Sequence, residues 1–327
     1  MSKRSVAISF QTDKRLSEYG ALASAAENFG FDVITVYNDM LFQPAWLPLM
    51  EMARNTKRAQ IGVAAVNPFT CHPINIAGNI ALIDEASQGR AYLGLARGGW
   101  LDFVGVEPKK PVKALQEAFN CIQHLLSCNT EPLTQDIYPL AGGDSLRWKL
   151  HRAHLPMLLG SWGVKTIAAC HSAVGEIKIG GSANPALVPY YQEQLDTIGA
   201  ASDLGIVMGA VTVVDEDGEA ARALAKREVA LYLPVVAELD KTLQIDPELI
   251  TAIKQAAANY EFDTAGRLIS DELLSTFAFA GTPGDIILQT EALFEAGASR
   301  VEFGTPHGLT PTSGLQLLGE KVLPAFK

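Results

Sequence analysis

Gln60-Ile-Gly-Val-Ala-Ala-Val66, Asn67-Pro-Phe-Thr-Cys-His-Pro73, a helical run to about Ser87, and Arg90-Ala-Tyr-Leu-Gly-Leu-Ala-Arg-Gly-Gly99 decide the fold. The order is strand, turn, helix, strand. Two strands rich in small residues flank one amphipathic helix, and each strand runs into a polar or glycine-rich turn. This is a βαβ unit whose strand ends suit a ligand better than bulky packing. Outward from it the alternation repeats. Val6 to Phe10 reads as a strand, Ser17 to Phe29 as a helix, Phe31 to Tyr37 as a second strand and Trp46 to Asn55 as a helix. Further on, strands are expected at Pro156–Ser161, Glu176–Gly180, Gly205–Val214 and Arg300–Phe303. Helices are expected at Pro111–Leu126, Val164–Ala173, Asn184–Ile198, Glu216–Leu239 and Gly284–Ala296.

About eight strands, each normally followed by a helix, is the pattern of an α/β (β/α)8 TIM barrel, here one domain over 1–327. Segments 127–154 and 240–279 exceed ordinary connections and read as insertions. A doubly wound sheet competes, but neither G-x-G-x-x-G nor G-x-x-x-x-G-K is present to mark a dinucleotide or phosphate turn. Local signals support the boundaries: in Gly281-Thr-Pro-Gly-Asp285, Thr282 is placed to cap a helix, Pro283 to start it and Asp285 to face its positive end. Asp215-Glu-Asp217 reads the same way, each such acid contributing about 0.3–1 kcal/mol.

Composition narrows the function. The chain has 327 residues, is 48% hydrophobic and carries a formal charge of −10 with no dense basic run, which argues against nucleic acid or an anionic membrane as partner. Neither a signal peptide nor a membrane-spanning run is legible, so a cytoplasmic location is expected. Cys71, Cys121, Cys128 and Cys170 form no C-x-x-C pair and read as reduced thiols. His151 and His154 have no acidic or cysteine neighbour in sequence, and no metal site is expected.

In such a barrel chemistry sits where strands end. Those ends hold Asn38-Asp39, Asn67 to His72, Arg97 to Trp100, Ser161 to Lys165 and Gly180 to Asn184, among others. Glycine, serine and asparagine dominate there, which suits a flat or phosphate-bearing ligand approached by backbone N–H groups. Gly160-Ser-Trp-Gly-Val-Lys165 is the best phosphate candidate, a small-residue turn opening a helix. No Ser-His-Asp set is legible.

At this point the residues meet a family. Ala26-Glu-Asn-Phe-Gly-Phe-Asp32, Asn67–Pro73, Ile83-Asp-Glu-Ala-Ser-Gln-Gly-Arg-Ala-Tyr-Leu-Gly94, Pro156-Met-Leu-Leu-Gly160, Ser182-Ala-Asn-Pro185 and Phe279-Ala-Gly-Thr-Pro283 occur in the order and spacing of the luciferase-like flavin and deazaflavin oxidoreductases. The chain resembles, within them, the methylenetetrahydromethanopterin reductases that use coenzyme F420. The resemblance implies a deazaflavin at the C-terminal mouth of the barrel, a tetrahydropterin-type or other small substrate, and a homodimer or larger homo-oligomer. It implies that Asn38 and Asn67 lie beside the cofactor and that a non-prolyl cis peptide joins Ala64 to Ala65 under the ring. Arg97 and Gly98 would line the end of the fourth strand, Ser161, Gly163 and Val164 would meet the cofactor phosphate, and Gly180 and Gly181 its tail. Relatives carry an acid where this chain has Ser9, and Asp-His where it has Asn38-Asp39. Asp39, His72 and Glu302 are therefore the candidates for acid–base work. An FMN-dependent monooxygenase and a non-catalytic flavin-binding relative are the alternatives.

Overall fold

A computed structural model describes residues 4–327. Eight parallel strands close into a ring: β1 (Ser5–Phe10), β2 (Val33–Val36), β3 (Gln60–Val66), β4 (Ala91–Ala96), β5 (Met157–Gly160), β6 (Glu176–Gly180), β7 (Gly205–Val214) and, after a further short strand β8 (Ala278–Gly281), β9 (Arg300–Gly308). Pairing of β6 with β7 and of β9 with both β1 and β7 completes the circle. Closure removes the two open edges that a free parallel sheet would expose, except along the C-terminal half of β7. The helices α1 (Leu16–Phe29), α2 (Trp46–Arg54), α3 (Pro73–Ala86), α4 (Pro111–Leu126), α5 (Val164–Cys170) and α6 (Leu187–Thr197) follow the first six strands. They bury the outward side chains of the strands, Ile8, Ile34, Ile61, Leu93 and Ile177 among them. This is the (β/α)8 barrel that the alternation predicts.

Inside the ring, close packing depends on two glycines. A Cβ on Gly62 would lie 2.3 Å from the Tyr92 carbonyl oxygen, and one on Gly94 2.6 Å from that of Val63. Their absence lets Tyr92 fill the interior with Ala7, Val33, Leu158 and Val207.

The motif residues that carry the family resemblance prove structural where they are charged. Glu27 is buried and accepts hydrogen bonds from the backbone N–H groups of Lys57, Arg58 and Ala59. Burial pushes its pKa up, but these bonds more than offset that and hold it below its usual value. Asp84 accepts from Ala91 N–H and pairs with Arg152, and Arg90 donates to the carbonyls of Ala53, Thr56 and Ala59. All of these lie where strands begin, the end of a barrel that serves stability.

The second half departs from the simplest reading. The expected helix over Glu216–Leu239 is two helices, α7 (Gly218–Val229) and α8 (Leu233–Leu239). Pro234 has no N–H to continue the ladder and its ring would clash with the carbonyl of Ala230, so the chain breaks between them. Asp217 caps α7, accepting from the N–H groups of Glu219 and Ala220. The 240–279 insertion holds α9 (Pro247–Ala258), α10 (Phe262–Arg267) and α11 (Asp271–Phe277), which pack on α7 and α8 through Ala221, Leu233, Ile253 and Phe277. It ends in β8, which pairs with Val211–Val214 of β7 on the edge that β6 leaves free. Next comes α12 (Pro283–Glu295), capped reciprocally by Thr282 and Asp285 as expected, and after β9 the last α-helix, α13 (Pro311–Leu317). The 127–154 insertion is irregular. Glu117 of α4 anchors it by accepting from the backbone N–H groups of Asp136, Ile137 and Tyr138.

Candidate active site

The C-terminal ends of the ring strands enclose a cavity of about 480 Å³, and every one of the eight ring strands or the turn after it contributes to its wall. Backbone and small side chains form most of it: Ala64 and Ala65, Gly160 and Ser161, Gly180 and Gly181. The Ala64–Ala65 peptide is cis, as the resemblance implies. A Cβ added to Gly180 would meet no heavy atom within 4 Å, so this glycine keeps space open rather than relieving a clash. The Trp162 indole edges the cavity, with Nε1–H donating to Gly180 O at 3.0 Å and Tyr191 Oη–H to its carbonyl at 2.8 Å.

Two charged residues line this space, Asp39 and Lys178. Asp39, in the turn after β2, accepts from Gln11 Nε2 at 2.8 Å. Lys178 projects inward from β6 and its Nζ pairs with the carboxylate of Glu302 on β9. Glu302 is 1% exposed; it also accepts from Ser9 Oγ–H and, at 3.0 Å, from Thr35 Oγ1–H. Since that threonine proton is committed, Tyr92 Oη–H is the donor in its contact with Thr35 Oγ1. Burial alone would raise the pKa of Glu302. The charges of Lys178 and Arg300, with the bonds from Lys178 and Ser9, outweigh it and keep the group ionised below its usual range. Burial and the Glu302 charge raise the Tyr37 phenol well above its usual value, so it is a neutral wall of the cavity. Deeper still, Arg300 pairs with Glu176 at 3.0 Å and lies over the Tyr92 ring at 5.2 Å. The barrel interior thus carries alternating charge, Glu176, Arg300, Glu302 and Lys178, opening onto the cavity at Lys178.

A second, apolar trough of about 300 Å³ adjoins the first, walled by Leu41, Phe42, Trp100, Phe103 and Leu231, and shares Asp39 and Tyr232 with it. Together the two spaces could seat a flat cofactor and a second molecule beside it.

Of the residues expected at the site, Asp39, Ala64, Ala65, Ser161, Gly180 and Gly181 line the cavity. Glu302 lies beneath it, behind Lys178. Asn38 Oδ1 accepts from Ala45 N–H and shapes the turn after β2. Asn67 Oδ1 accepts from the N–H groups of Phe69 and Thr70, and Gly98, with φ +83°, packs against it. Arg97 is exposed at the end of β4. Gly163 caps α5, but its N–H donates to Ser161 Oγ, and Val164 begins the helix. His72 is exposed and caps α3 by accepting from Ile74 N–H at Nδ1, outside the cavity wall. Sequence reasoning missed Lys178 and Tyr37; Gln11 and Trp162 fall within the strand-end stretches it singled out but carried no assigned role. Lys178 left a signal: in Glu176-Ile-Lys-Ile-Gly180 the two charged residues alternate with isoleucines and share inward parity with Gly180. Among the described residues no cluster of histidine, cysteine and acidic side chains is arranged to hold a metal ion, and no helix is long and apolar enough to cross a membrane.

A closed parallel barrel with a glycine-lined cavity at the strand ends defines a TIM-barrel protein whose candidate site lies at the C-terminal mouth. The family model for luciferase-like monooxygenases matches residues 3–300, and the chain belongs to that family. It is 26% identical to a 5,10-methylenetetrahydromethanopterin reductase of Archaeoglobus fulgidus, over 98% of this chain and 99% of that one. The corresponding reductase of Methanopyrus kandleri is 25% identical over the full length of both. Among solved structures, the coenzyme F420-dependent tetrahydromethanopterin reductase from Methanopyrus kandleri superposes with a TM-score of 0.89 at 23% identity, each chain fully covered. An F420-dependent secondary alcohol dehydrogenase gives 0.78 at 17%, covering both chains fully, which is likeness of fold.

Proposed function

We propose that the protein is an oxidoreductase that binds coenzyme F420 in the cavity at the strand ends and moves hydride between it and a small substrate. The observation that carries this reading is the wall itself. Ala64, Ala65, Gly160, Gly180 and Gly181 leave an open slot bounded by backbone, and Gly180 has room where a side chain would stand. A flat ring fits a slot of this kind, where backbone rather than side chains forms the wall. Full-length similarity to methylenetetrahydromethanopterin reductases, of which the solved enzyme from Methanopyrus kandleri is F420-dependent, supports deazaflavin over other rings.

When bound, the deazaflavin supplies a carbon that gives or takes a hydride. The protein would hold it in place: Ala64, Ala65 and Gly160 offer surface to a ring, while Ser161 offers its hydroxyl proton and Val164, at the start of α5, its backbone N–H to a phosphate. Asp39 is the one of the three acid–base candidates that reaches both the cavity and the apolar trough, so it is the group assigned to hold a substrate proton. Glu302 acts from behind Lys178, and His72 is assigned to capping. Tyr37, Trp162 and Tyr232 keep water from part of the space, which strengthens polar contacts within it.

The test is a hydride-transfer assay following the deazaflavin absorbance, with a methyl- or methylene-tetrahydropterin and a secondary alcohol as partners. Turnover with either, lost in Asp39→Asn while cofactor affinity is kept, is the expected result. F420 binding with full turnover in Asp39→Asn would remove Asp39 from the reaction. FMN is the competing cofactor, because the family is described by its monooxygenases.

A further inference from the structure

Lys178 is the single cation among the residues lining the cavity. Its side chain is nine-tenths buried. Of its three donors, one is used by Glu302, and no other protein acceptor meets Nζ among the described residues. Two N–H groups therefore remain for whatever fills the cavity, and a buried ammonium left short of acceptors is costly unless a ligand supplies them. Its position is built rather than incidental. Gly209 on β7 leaves the space that the lysine stem occupies, since a Cβ there would stand 3.2 Å from Lys178 Cε. The Tyr37 ring flanks Nζ at 5.5 Å, and Glu302, itself fixed by Ser9 and Thr35, anchors it from below.

We propose that Lys178 donates a hydrogen bond from the cavity floor to a carbonyl oxygen or ring nitrogen of the bound ring, and that its charge favours the ring's reduced form. This rests on the cofactor reading above. When the substrate gives up a hydride it leaves oxidised by two electrons, and the ring that accepts the hydride gains electron density on its conjugated oxygen and nitrogen atoms. A fixed ammonium at that edge interacts more strongly after the transfer than before, so it stabilises the reduced state and the transition state that leads to it. No proton need leave Lys178 for this. Glu302, Ser9 and Thr35 are positioning residues that aim the ammonium.

The experiment is anaerobic titration of the protein with oxidised and with chemically reduced F420, comparing the wild type with Lys178→Met and Lys178→Arg. Because Lys178→Met strands the Glu302 carboxylate, Lys178→Met with Glu302→Gln is made in parallel and decides the matter if the single variant does not fold. Loss of the ammonium is expected to weaken binding of the reduced form about tenfold more than that of the oxidised form, which lowers the potential of the bound two-electron couple by about 30 mV. Lys178→Arg is expected to keep most of the preference. Wild-type binding together with an unchanged ratio in the folded variants, or equal weakening of both forms, overturns this inference and leaves the cofactor reading intact. A wild-type protein that binds neither form overturns both.

Discussion

Removing the Glu302 carboxylate probes the charged barrel interior directly. Glu302 is 1% exposed and meets Ser9, Thr35 and Lys178, with Arg300 nearby. In Glu302→Ala the Lys178 ammonium keeps its burial and loses its counter-charge, and two hydroxyls lose their acceptor. Breaking a buried pair from one side costs about 3–5 kcal/mol, a large share of the 5–15 kcal/mol that holds an ordinary domain. Equilibrium urea unfolding should show this loss, and at about 2 °C per kcal/mol for a long chain the melting temperature should fall by roughly 6–10 °C. The exposed pair of Lys321 and Glu216 is the control, and Glu216→Ala should cost less than about 1 kcal/mol. Acid unfolding supplies an independent readout. Because the folded pKa of Glu302 lies below its ordinary value of 4.5, its ionisation stabilises the fold above that pH, and the contribution drains away as pH falls through the folded pKa. Glu302→Ala should flatten that limb. A variant within about 1 kcal/mol of the wild type, with the same acid limb, would refute the account of Glu302 as the centre of a desolvated network.

Three further perturbations follow from the same geometry. Gly180→Leu should fold with near-normal stability and bind F420 at least tenfold more weakly, checked by melting and by titration, because a Cβ at this cavity-lining position meets no protein atom within 4 Å. Burial lowers the His307 pKa from 6.5 to about 4, so neutral His307 stabilises the fold by about 3 kcal/mol above pH 6.5, a contribution lost as pH falls toward 4. His307→Asn, chosen because His307 has φ 78° and asparagine tolerates that region, should remove this slope from stability measured against pH. Arg152→Ala leaves the buried Asp84 carboxylate with only Ala91 N–H and should cost about 2–4 kcal/mol in urea, with faster proteolysis of the 127–154 segment.

The eight ring strands are legible because each is a short run rich in apolar and small residues followed by a helical run, a local pattern that closure only arranges. β8 is not legible: four residues, Ala278–Gly281, end a helix-rich insertion and owe their extended state to the free edge of β7. The break at Pro234 was readable from the proline itself. At the site, glycine-rich turns announce themselves in sequence, and Gly180, Gly181 and Ser161 do reach the cavity. The inner charge network does not announce itself. Ser9, Thr35, Lys178 and Glu302 come from four strands, and only barrel closure brings them within hydrogen-bond reach. His72 shows the converse, a chemically capable side chain that the fold uses as a helix cap.

The most direct test of the central claim is a fluorescence titration of the purified protein with coenzyme F420 and, in parallel, FMN, with Gly180→Leu as the control for location. The account predicts saturable binding with preference for F420 and its loss in the folded Gly180→Leu protein. Preference for FMN, or F420 binding that survives Gly180→Leu, would contradict it.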